Sequence, residues 1–286
     1  MGRERVTSLF KHKSSRALVA GCIAGSAAML SVAGFAETPS KTVLTPADLG
    51  LTEAQIRDLV RSALPPAASP GISMGSPVGF GASWGNAGIG IGGATAERLS
   101  PDVDGSAGVV FGLGDATKTV GLETTLNIIS LTDNAPGSGV GEDGNFGVKL
   151  HKTLKPDLAV SVGAENVLPW GAADDIDSSY YVAVTKFLVL GGDNPSSALA
   201  LNVGVGEGRF DYDGNDDVGA FGSIAWIPSE KYSLIADWTG RDWNAGVSLA
   251  PLHDVPLTIT LGAINLSERL GQDIEFSGGV GYGFSF

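Results

Sequence analysis

Residues 273–286 read D-I-E-F-S-G-G-V-G-Y-G-F-S-F. From Ile274 onward every second position is large and apolar or a glycine: Ile274, Phe276, Gly278, Val280, Tyr282, Phe284 and Phe286. The positions between them, Glu275, Ser277, Gly279, Gly281, Gly283 and Ser285, are small or polar. A period of two places these sets on opposite faces of one strand. The stretch ends on an aromatic, and an aromatic at a strand end gains most where lipid meets water.

The same alternation runs back through the chain. Phe146, Val148 and Leu150 alternate with Asn145, Gly147, Lys149 and His151. Leu199 to Val205 and Leu257 to Ala263 repeat the pattern. The polar face is rich in Gly, Ser, Thr and Asn, whereas a water-facing sheet surface carries more Lys and Glu. Such small groups suit a confined lumen. Twelve strands are expected, at 78–95, 104–114, 119–130, 144–153, 157–166, 179–190, 197–207, 218–227, 232–238, 243–250, 256–264 and 273–286. Their connections alternate short and long, with only Thr239-Gly240 tight among the long ones. The 42 glycines, well above the usual ~7%, are expected to serve strand curvature and close neighbours.

The ending resembles the C-terminal signal of Gram-negative outer-membrane β-barrels. Gly281, Phe284 and Phe286 fill its glycine and aromatic-any-aromatic places, while Gly279 stands where a polar residue is usual. The resemblance implies a porin-like, all-β, transmembrane, antiparallel up-and-down barrel with both ends periplasmic. It also implies the barrel-assembly machinery, outer-membrane lipid and lipopolysaccharide as partners. Trp226, Tyr232, Trp238, Trp243 and Phe284 lie near strand ends, where aromatic girdles belong.

Residues 1–36 have the form of an export signal. Arg3, Arg5, Lys11, Lys13 and Arg16 precede an uncharged apolar stretch, with small Gly34 and Ala36 before the expected cleavage point. Cys22 lies inside this stretch; its lipoprotein-like context, Val19-Ala20-Gly21-Cys22, has too short an apolar run before it. Cleavage would make the net charge more negative, from −13 to about −17, and leave no cysteine, so disulfides and nucleic-acid binding are not expected. Residues 37–76 are expected to form an extension in the periplasm or the lumen. Within it, Thr52 to Gln55 have capping-box spacing, and Ile56, Leu59, Val60 and Leu64 recur at helical spacing. Residues 67–74 read as a linker, and 77–286 as the barrel.

Function follows from the expected lumen face: Glu123, Lys149, His151, Glu165, Asp237 and Glu275. Acids outnumber bases there, so the first reading is a narrow passive channel for small hydrophilic solutes with a cation preference. The second is a non-conducting structural or interaction barrel. The third is an outer-membrane hydrolase built on His151 and Ser161, although no local motif of such enzymes is present and no catalytic residues are assigned. Asp211, Asp213 and Asp217 could supply oxygens to Ca²⁺, or form a solvated turn; no other cofactor is expected.

Overall fold

The computed structural model describes residues 69–95, 104–129, 131, 140–190, 197–211, 217–252, 255–268 and 273–286. The expected signal (1–36) and the expected helix lie outside them. Twelve strands follow in order: β1 Asn86–Ala94, β2 Asp104–Gly114, β3 Gly121–Ile128, β4 Gly144–Lys155, β5 Leu158–Trp170, β6 Ser179–Val189, β7 Ala198–Gly206, β8 Gly219–Ser229, β9 Tyr232–Trp238, β10 Trp243–Leu249, β11 Leu257–Ile264 and β12 Glu275–Ser285. Each pairs antiparallel with its chain neighbours, and β1 pairs with β12, closing the barrel. Closure leaves no strand edge without a hydrogen-bonding partner.

The expected alternation sets the two faces. On β4, Phe146, Val148 and Leu150 point outward, and Asn145, Gly147, Lys149 and His151 are buried inward. Outside, Ile91 is 59% exposed, Val203 62% and Phe276 69%. Each large side chain left in water forgoes about 1.5–3 kcal/mol of burial, so a surface of them suits lipid. Aromatics ring both ends. Trp170 stacks near Phe146 (6.0 Å) and Trp238 near Trp243 (5.4 Å) at one rim. Trp226, Tyr232 and Phe284 stand near the other, here called the proximal rim because the chain ends there. Short turns lie at this proximal rim. In one of them the Thr117 hydroxyl and Lys118 hold the Asp115 carboxyl well below the usual carboxylate range.

The structure departs from expectation in two places. β1 begins at Asn86, eight residues later than the alternation suggested. Residues 70–83 form no strand; they are almost entirely buried inside the barrel. Pro77 lacks an N–H and cannot enter a sheet interior, and Gly85, at φ 90°, turns the chain from the lumen into β1. Second, β5 extends to Trp170 beyond the expected Asn166, through positive-φ positions at Asn166 and Leu168.

The closing seam includes the stretch Gly281 to Phe286. Phe286 N–H bonds Gly85 O at 2.9 Å, and the Ser285 hydroxyl bonds Asn86 Oδ1 at 3.0 Å. The Phe286 ring stacks on Phe111 of β2 (5.7 Å) and meets the Trp84 edge (5.7 Å). One side chain thus ties β12 across β1 to β2. Phe286→Ala should lower the amount of folded barrel in the membrane, read as the fraction with heat-modifiable gel mobility. Wild-type levels would show that neither the seam nor the assembly machinery uses this ring.

Candidate functional site: the strapped lumen

The inward faces of the strands are held to one object, the segment 70–83, called the strap. It enters at the proximal rim, where the Ser233 hydroxyl donates to Gly71 O and Gly71 N–H donates to Ser248 Oγ (2.8 Å). Ser223 donates to Ile72 O at 2.8 Å. The strap bends at Asp237, one residue from the distal end of β9. The Asp237 carboxylate accepts the N–H groups of Met74 (2.7 Å), Gly75 (3.1 Å) and Ser76 (3.2 Å). It also accepts the hydroxyls of Ser73 (2.6 Å) and Ser76 (2.5 Å).

The strap then descends along the other wall. Asn202 donates to Pro77 O (2.9 Å), Ser161 to Val78 O (3.1 Å), and Gly79 N–H to Thr185 Oγ1 (2.8 Å). Thr185 in turn donates to Asn202 Oδ1 at 2.7 Å, joining two anchors into one relay. Ala82 N–H donates to Glu123 Oε2 (2.7 Å), and His151 Nε2 lies 2.9 Å from Ala82 O. Ala116 N–H reaches Ser83 Oγ at 3.2 Å in the proximal turn after β2. Apolar contact adds to this: Ile72, Met74 and Val78 pack with Ala200, Ala225 and Ile235. A Cβ on Gly246 or Gly262 would strike the Met74 thioether, and one on Gly112 the strap backbone at Ala82 and Ser83. These lumen glycines make room for the strap.

The expected lining residues therefore face the lumen, but most of their charge is already matched. Lys149 Nζ lies 2.7 Å from Glu123 Oε1. Arg209, from the connection after β7, pairs with Glu165 through Nε and, at 3.0 Å, through Nη2, which also donates to Gly75 O (2.9 Å). Asp237 has its oxygens filled by N–H and hydroxyl donors. Glu275 sits at the distal rim, where Asn265 Nδ2 reaches its Oε1 at 3.3 Å. His151 and Ser161 stand opposite each other in register on β4 and β5, yet each bonds a strap carbonyl. In a Ser–His relay the Ser161 hydroxyl would have to leave Val78 O.

The distal mouth is narrowed further by the connection after β7. Phe210 turns inward onto Phe221 (4.5 Å) and Tyr181 (6.0 Å), with the Arg209 guanidinium 4.2 Å from the Phe210 ring centre. Arg241 holds it there through Asp211 O (2.6 Å) and Gly208 O (3.1 Å). Burial lowers the Arg241 pKa from its usual value, against the opposing pull of Asp211. Of the expected Ca²⁺ ligands, Asp211 Oδ2 accepts the Asp217 N–H at 3.2 Å, and Asp213 lies outside the described residues. Among the described residues no three His, Cys, Asp or Glu side chains gather to hold a metal.

Sequence reasoning placed the acids but missed Arg209, Thr185, Asn202, Ser223, Ser233 and Ser248 as anchors. Their inward parity was readable; their target was not. Removing the Asp237 carboxylate strands the buried Met74 and Ser76 N–H groups, at roughly 1–3 kcal/mol per unsatisfied donor. It leaves Gly75 N–H only the Ser73 hydroxyl at 3.4 Å, while the Ser73 and Ser76 hydroxyls keep Ser76 O and Trp238 O. Asp237→Ala should speed hydrogen exchange at Met74, Gly75 and Ser76 by at least about tenfold, while the β1–β12 seam amides stay protected. Unchanged exchange at those three amides would contradict the anchoring role.

No protein-family model matches the chain, and no curated protein matches it. Among solved structures it is similar to the KdgM porin, at 12% identity over 70% of this chain and 99% of that one, with a TM-score of 0.41. It is also similar to the outer membrane protein Omp33 of Acinetobacter baumannii, at 11% identity over 70% and 98% and a TM-score of 0.41. For OprB of Pseudomonas putida in its low-pH structure the values are 10%, 70%, 91% and 0.31. Likeness this loose carries nothing about what occupies or crosses the lumen. Twelve strands closed on themselves, apolar outside and polar within, are by their own geometry the architecture of a porin-like transmembrane β-barrel.

Proposed function

We propose that the chain is a narrow outer-membrane channel for small hydrophilic solutes, held nearly closed by its own strap, with the proximal rim in the periplasm. One observation carries this reading. The strap is anchored to strands all the way from β3 to β10 and leaves a cavity of about 30 Å³ beside Glu123, Lys149, Glu165, Tyr181 and Arg209. That is room for about two waters, not a wide pore. Strap bonds are individually worth about 0.5–1.5 kcal/mol, so loosening a few would widen the path without disturbing the lipid-facing wall.

The proposed cation preference now rests on different groups. Lumen acids paired with Lys149 and Arg209 select little. Among the described residues the distal rim carries Glu142, Asp143, Asp174, Asp175, Asp177 and Glu207, against Arg209 and Arg241. Those acids bias the mouth toward cations within a Debye length of about 8 Å at physiological salt. Glu165→Gln would leave Arg209 uncompensated and move selectivity toward anions.

The strap also favours a second reading, a non-conducting structural or interaction barrel. Planar-bilayer recording separates the two. Wild type should show small, cation-preferring conductance in a potassium chloride gradient. Asp237→Ala should raise it several-fold, and Glu165→Gln should shift the reversal potential toward the anion side. Silence in wild type and in folded Asp237→Ala would leave the non-conducting barrel. Anion selectivity in wild type would overturn the charge argument.

A further inference from the structure

A site built for one ligand usually addresses that ligand's distinctive side groups. This lumen addresses main chain. Ser233, Ser248, Ser223, Asn202, Ser161 and Thr185 each spend a hydroxyl or amide on a backbone N–H or C=O of the strap. Asp237 takes three successive backbone N–H groups. Four positions of the strap, Gly71, Gly75, Gly79 and Gly81, have no side chain to recognise. Side chains are read at fewer places: Ile72, Met74 and Val78 pack near Ala200, Ala225 and Ile235, Phe80 meets Phe187 at 5.4 Å, and Asp237 accepts the Ser73 and Ser76 hydroxyls. The strap itself carries no charged side chain, and Lys149 and Arg209 are already paired with Glu123 and Glu165.

We propose that the lumen is a binding site for oligopeptides: bent once at a carboxylate, uncharged, rich in small residues, with apolar side chains two positions apart. The strap is its tethered occupant. This goes beyond the channel reading and does not need conduction, because binding would hold in a silent barrel too. A short tether gives the strap a local concentration of the order of millimolar, so a free peptide competes only when the strap is weakened.

Gly79 is the place to weaken it. A Cβ there would meet Ala159 and Thr185 backbone atoms at 2.4–2.9 Å, so Gly79→Val in the full chain drives the strap out while leaving the receptor walls intact. Ser76→Pro, which removes an N–H and a hydroxyl from Asp237, is the second variant should the first not fold. Heat-modifiable mobility reports folding, and protease cleavage within 70–83 reports strap release. The probe is a fluorescein-labelled, end-blocked peptide of residues 69–84, followed by fluorescence anisotropy in detergent. Saturable binding is expected on the strap-released variant and at least about tenfold weaker binding on wild type. Binding should be lost when the probe amides matching Met74 and Gly75 are N-methylated, or when Asp237→Ala is added. Three results would each overturn the proposal: no saturable binding to a folded, strap-released chain; equal binding of the N-methylated probe; or a strap that stays protected in both variants, since its occupant would then not exchange.

Discussion

Hydrocarbon offers no hydrogen bonds, and that constraint governs this structure. A backbone N–H or C=O in lipid must find its partner in the protein. The β1–β12 ladder, running from Asn86↔Ser285 to Ala94↔Ser277, is the step that satisfies it for the whole sheet. Trp84, Phe111 and Phe286 cover its proximal end. Once the ladder closes, the pleat assigns every residue to lipid or lumen, and the lumen inherits the polar half.

Twelve strands enclose more space than small side chains fill. Eight leave an interior that side chains can occupy, and sixteen leave a channel. Here the difference is taken up by polypeptide. The strap fills one side with Ile72, Met74 and Val78, and the connection after β7 fills the distal mouth with Phe210. A lone buried carboxylate would cost several kcal/mol. Glu123, Glu165 and Asp237 avoid this by binding Lys149, Arg209 and a bend of three N–H groups. Charges that read from sequence as a selectivity filter are therefore structural fastenings as well.

This changes what opening would mean. The anchors come from β3 through β10, so they do not fail together. The ascending limb is held largely by apolar packing and serine hydroxyls, the bend by one carboxylate, and the descending limb by a chain of amide and hydroxyl contacts. A solute or peptide that replaces some of these bonds meets a graded resistance, and the lipid-facing wall need not move.

The sequence by itself determined the strands, their parity and their closure. Period-two alternation is local, and lipid on one side enforces it residue by residue, so Phe146 to His151 could be assigned to faces before any coordinates. The inward direction of Glu123, Lys149, His151, Glu165 and Asp237 was legible for the same reason. The strap was not. Residues 67–74 read as a linker, and from 78 small and apolar residues alternate much as in a strand, yet the strap, 70–83, lies inside the barrel unpaired to the sheet. Its partners lie up to 177 residues away in the chain, and Ser248 or Thr185 carries no local mark of what it will bind. Parity is a property of neighbours in sequence; occupancy of the lumen depends on how far apart the walls stand, and closure of the barrel alone sets that distance.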